Sequence, residues 1–130
     1  MENSKRYNKG IETIKKMVSD EEFEGISYMR EVSPDFWDMI ISFGYGDVYG
    51  REGLSLDKRE IITITSLISQ GLFDQLPFHI SAALKTGITQ NEIKEIIMQC
   101  AAYAGFPKAV QAMTIAGEVF KNIDAKELTK

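Results

Sequence analysis

One cysteine, one histidine and three prolines are all that this 130-residue sequence holds of its most chemically distinctive residues. A lone Cys100 excludes an internal disulfide and leaves no cysteine set for zinc. A lone His79 equally excludes a histidine-rich metal site, so no metal is expected. No apolar run reaches the ~20 residues that a membrane-spanning helix needs. The first residues, MENSKRYNKG, lack the apolar stretch of a secretory signal. A cytoplasmic protein with no membrane partner is therefore the expectation. Basic residues are outnumbered, 15 Lys and Arg against 19 Asp and Glu, giving a net charge of −4. A nucleic-acid binder would want a basic stripe, and none is visible.

What is present is an ordinary globular composition, 44% apolar and 26% charged, in a length that suits one domain. The apolar spacing is helical nearly throughout. Tyr7, Ile11, Ile14 and Val18 recur at four, three and four. A weaker helical segment covers about Glu21 to Arg30. Ser33 followed by Pro34 reads as an N-cap with proline in the first turn. It opens a segment carrying Phe36, Trp37, Ile40, Ile41, Phe43 and Val48, whose wide apolar face predicts deep burial or a subunit contact. Gly44, Gly46, Gly50 and Gly53 read as the end of that helix and a loop. Ser55 can cap a helix over about Leu56 to Gly71. A shorter one runs from about Gln75 to Thr86, with Pro77 in its first turn and Gly87 as the stop. Thr89 and Glu92 form a capping box ahead of the stripe Ile93, Ile96, Ile97, Cys100 and Ala104. Pro107 opens the last helix. No period-2 alternation suggests a strand. The pattern predicts an all-α, single-domain bundle of six or seven helices over 1–130, its core spanning about 5–121, with a polar C-terminal tail.

Two polar residues stand where apolar ones are expected. Glu60 shares a helical face with Thr63, Ile64, Leu67 and Gly71, and a carboxylate there is either partnered or pushed toward a raised pKa, because desolvation penalises the charged form. His79 lies among Ala82, Ala83 and Thr86. If their two consecutive helices form an antiparallel hairpin, the side chains meet. Such a pair holds the imidazole in one tautomer, which suits general acid or base work. It equally suits a buried structural contact, and spacing alone leaves both readings open. Arg51 and Arg59 are candidates for gripping a carboxylate through two hydrogen bonds, or are surface charges. Gln99 and Tyr103, four apart on the capping-box helix, can line a pocket or simply reach the surface. Cys100, on the apolar stripe, reads as an inert core residue.

Two stretches carry a more specific signal. FGYGDVYGREGLSLDKREIITITSLISQG, from Phe43 to Gly71, and HISAALKTGITQNEIKEIIMQCAAYAGFP, from His79 to Pro107, resemble the carboxymuconolactone decarboxylase family. The matching positions include Gly46, Asp47, Val48, Gly53, Leu54, Arg59, Glu60, His79, Leu84, Gly87, Thr89, Glu92, Gln99, Tyr103, Gly105 and Pro107. The resemblance implies an all-helical, alkylhydroperoxidase D-like fold that forms homo-oligomers, trimers or hexamers. It implies a lyase of aromatic-compound catabolism that needs no cofactor and releases carbon dioxide from a small carboxylated lactone. The family's proposed acid/base positions fall on Glu60 and His79, with Arg51, Arg59, Gln99 and Tyr103 as substrate-binding candidates. A non-catalytic oligomeric protein that binds a small ligand is the alternative. The related alkylhydroperoxidase D-like branch uses C-x-x-C-x-x-x-H. Aligning its histidine on His79 puts Leu72 and Gln75 at the two cysteines, so the thiol peroxidase mechanism has no nucleophile here.

Overall fold

A computed structural model describes residues 4–128. It is helical, as expected, and no strand occurs among the described residues. The chain divides into two compact units that meet in sequence at Leu56 and Asp57.

The first unit contains α1 (Lys5–Met17), α2 (Asp20–Ile26), α3 (Tyr28–Val32) and α4 (Pro34–Met39), the last running on as a π-helix over Ile40–Val48. Serines start three of these. Ser4 accepts from the Tyr7 amide, Ser33 from the Phe36 amide ahead of Pro34, and Ser19 forms a capping box with Glu22. The weak segment expected over Glu21 to Arg30 is thus two short helices that part at Ser27. The core of this unit gathers Ile14, Met17, Trp37 and Ile41, all buried. Trp37 Nε1 donates to the Tyr7 hydroxyl at 2.9 Å, so the indole N–H is satisfied inside.

Gly44 and Gly46 do not end the helix. They lie within the π-helical stretch, and the loop begins only after Val48. The reason is tertiary. α1 packs directly on this stretch. A Cβ on Gly10 would fall on the backbone carbonyl of Ile41, and one on Gly46 would strike the carbonyl of Arg6. Bare glycine backbones on both helices allow the close approach. Arg6 and Asp47 then clasp the crossing, with Nη2 to Oδ2 at 2.6 Å and Nε 3.1 Å from both oxygens. The wide apolar face beyond Pro34 is only partly covered. Trp37 and Ile41 are buried, whereas Phe36 is 51% and Phe43 61% exposed.

The second unit contains α5 (Leu56–Gln70, which starts on the last residue of the first unit), a 3₁₀ turn (Phe73–Gln75) leading into α6 (Leu76–Lys85), α7 (Gln90–Ala104) and α8 (Phe106–Leu128). Gly87, at φ 109°, stops α6 in a conformation that residues with a Cβ seldom adopt. Thr89 and Glu92 then open α7, each side chain accepting the other's amide at 3.0 and 2.9 Å. One apolar core joins all four helices through Ile64 and Ile68 of α5, Leu76 and Ile80 of α6, Ile93 and Ile97 of α7, and Ala112 and Ala116 of α8. The polar C-terminal residues continue α8 to Leu128, and Gln90 Nε2 donates to Asp124 Oδ1 at 3.1 Å along that extension. No helix among the described residues is long and apolar enough to cross a membrane.

Candidate functional site

Glu60 follows from the periodicity of α5. Its partners on the same face, Ile64 and Ile68, are fully buried, so four-residue spacing carries the carboxylate inward with them. It has no solvent exposure. A charge so placed is tolerated only with a hydrogen-bonding partner. On α6, Ile80, Ala82 and Ala83 pack into the core while His79, beside them, lies at its edge. The two helices bring the groups together. His79 Nδ1 is 3.1 Å from Glu60 Oε2 and 3.3 Å from Oε1. The imidazole keeps 13% of its surface exposed and meets Phe78 edge-on, ring centroids 5.1 Å apart. The carboxylate is the sealed end of this pair and the ring is its outward end.

A carboxylate accepting from Nδ1–H fixes the tautomer and leaves Nε2 as the nitrogen through which the ring exchanges protons. The same geometry can hold two helices together with no chemistry at all.

The other candidates divide. Gln99 and Tyr103 line a cavity of about 420 Å³ with Ile61, Thr65, Ile96 and Cys100. Neither Glu60 nor His79 lines it, because Ile61, Thr65 and Ser69 occupy a different face of α5 from Glu60. Tyr103 is 87% exposed at its rim. Cys100 is buried, and burial pushes its thiol above the ordinary range, opposed by a hydrogen bond with Thr65. Arg59 is half-buried on α5 next to Glu60. Arg51 belongs to the first unit, where it lines a separate cleft of about 720 Å³ with Lys5, Lys9 and Lys16. Those lysines were not singled out from the sequence. Their spacing along α1 was legible, but the loop that faces them was not. Asp47 and Gly46, both motif positions, build the helix crossing described above.

A family model described as the carboxymuconolactone decarboxylase family matches residues 34–118, a span that includes every candidate above except the three lysines. The chain is similar to a 4-carboxymuconolactone decarboxylase of Acinetobacter baylyi, at 33% identity over 124 residues, covering 95% of this chain and 92% of the relative. It is similar to the nitrosuccinic acid decarboxylase npaB of Metarhizium robertsii, at 26% identity over 120 residues, covering 90% and 82%. It is also 31% identical over 98 residues to an uncharacterised 15.0 kDa protein of Paracoccus denitrificans, covering 74% and 73%.

Proposed function

The chain belongs to the carboxymuconolactone decarboxylase family, and from that premise we propose that it is a cofactor-free carboxy-lyase acting on a small carboxylated lactone of the 4-carboxymuconolactone type. The observation that carries this reading is the buried Glu60 carboxylate on Nδ1 of a partly exposed His79. Two relatives whose names are decarboxylases of small carboxylic acids support the reaction class.

Decarboxylation breaks the bond between carbon and a carboxylate. Carbon dioxide leaves, the bonding pair passes into a conjugated carbonyl, and a proton must then reach carbon. In this proposal His79 delivers that proton or a hydrogen bond to the enolate oxygen through Nε2, and Glu60 orients the ring and balances its charge. An arginine, Arg59 beside Glu60 on α5, grips a carboxylate that stays in the product, because gripping the departing one would stabilise the ground state. The protein works in the cytoplasm as a homo-oligomer, a trimer or hexamer. The exposure of Tyr28, Val32, Phe36, Met39 and Phe43 supports self-association.

The burial of the pair favours a second reading, a non-catalytic oligomer that binds a small ligand and keeps Glu60 and His79 for packing. Turnover of 4-carboxymuconolactone, followed as carbon dioxide release, separates the two. Under the first reading His79→Gln lowers kcat by about 10²- to 10⁴-fold while the protein stays folded. Turnover unchanged in folded His79→Gln removes the acid/base assignment, and no turnover by the natural chain removes the namesake reaction.

A further inference from the structure

The cleft on the first unit lies between α1 and the segment from Tyr49 to Leu56. Its wall is electrostatically unlike the rest of the protein. The chain as a whole carries 15 Lys and Arg against 19 Asp and Glu. Lys5, Lys9, Lys16 and Arg51 line the cleft against only Glu12 and Glu52. Four cations less two carboxylates leaves +2 locally in a molecule of net −4.

The arrangement follows from the helix. Positions 5, 9 and 16 fall within one stripe of α1, at intervals of four and seven. Lys16 is already engaged, its Nζ 3.7 Å from Glu12. Asp47, a further carboxylate whose charge reaches Lys9, is clasped by Arg6. The stem of Lys9 runs over Gly50, where an added Cβ would meet Lys9 Cε at 2.9 Å. Asn8 and Ser55 add neutral donors to the same wall.

We propose that this cleft binds a small organic or inorganic anion carrying two or more negative groups, with Lys5 and Lys9 as its principal ligands and Arg51 on the opposite wall. The volume of about 720 Å³ suits a small molecule. A long polyanion would meet the net negative charge of the surrounding protein and finds no continuous basic stripe to follow. Carboxylate and phosphate groups share the chemistry that recognises such a site, charge-assisted hydrogen bonds from ammonium and guanidinium.

Titration calorimetry of the full chain at low ionic strength, with tricarballylate and with inorganic pyrophosphate, tests this. Saturable binding of one to one stoichiometry is expected, weakening with added salt. Lys5→Gln and Lys9→Gln each weaken it about fivefold, the scale of one exposed charge contact. Lys94→Gln, which removes an exposed charge on α7, leaves it unchanged. Tighter tricarballylate identifies a polycarboxylate ligand, and tighter pyrophosphate a phosphorylated one. No saturable binding of either, or equal weakening by Lys94→Gln, overturns the proposal. The readout is binding, so it stands apart from turnover: His79→Gln binds both anions like the natural chain.

Discussion

Replacing each partner of the Glu60–His79 contact in turn predicts unequal losses. His79→Leu removes the imidazole that meets a carboxylate with no solvent exposure, leaving that carboxylate in an apolar core beside Ile64. Breaking a buried pair from this side costs about 3–5 kcal/mol. Against a domain stability of about 5–15 kcal/mol that is a large share. At roughly 4 °C per kcal/mol for a chain of this size, the midpoint falls by about 12–20 °C. Glu60→Met is a different perturbation. It fills the same volume with an apolar side chain and leaves an imidazole that keeps a solvent-exposed edge, where water can replace the lost contact. Its cost is that of one hydrogen bond, about 1 kcal/mol. The double variant, with no stranded charge, lies well above His79→Leu. Urea denaturation at neutral pH of the three variants and the natural chain measures this. If Glu60→Met costs more than His79→Leu, or if His79→Leu costs under about 1 kcal/mol, the carboxylate does not depend on the imidazole and the reasoning fails.

Two glycine substitutions have opposite expected signs. Gly10→Ala drives a methyl into the Ile41 carbonyl and is destabilising by about 2–3 kcal/mol, whereas Gly25→Ala, in α2 with nothing within 4 Å, gains about 0.5–1 kcal/mol from helix propensity. Thermal denaturation compares them, and a neutral Gly10→Ala refutes the close crossing. Cys100, whose thiol burial pushes up, reacts slowly with a thiol reagent near neutral pH. Its rate climbs with pH at higher values than a free cysteine's, because the thiolate forms later, and denaturant restores ordinary reactivity. Rapid labelling of the folded protein near neutral pH sinks that prediction.

Helix starts and stops were legible in the residues because they are short-range chemistry. The Ser33 cap with Pro34, the Thr89–Glu92 box and the Gly87 stop involve only neighbours three or four positions apart, and all are where their spacing puts them. Glu60 and His79 were legible as polar residues on apolar faces, but their meeting was conditional on the two consecutive helices folding back on each other, which the packing supplies. The candidate substrate contacts were less so. Gln99 and Tyr103 share a face of α7, but which other helix faces them is a matter of packing, and the cavity they line holds neither member of the pair.

The sequence by itself thus determined that the chain is helical, where most helices begin, and which carboxylate stands out of place on an apolar face, because periodicity, capping and desolvation act on residues in place. The tertiary structure alone decided that Gly44 and Gly46 continue a helix. Glycine read locally is a helix stop, yet the approach of α1 to the Ile40–Val48 stretch requires a position without a Cβ on each side. It alone decided, too, that Arg51 faces Lys5 and Lys9 across a cleft, since contacts between a helix and a distant loop depend on how the intervening chain returns.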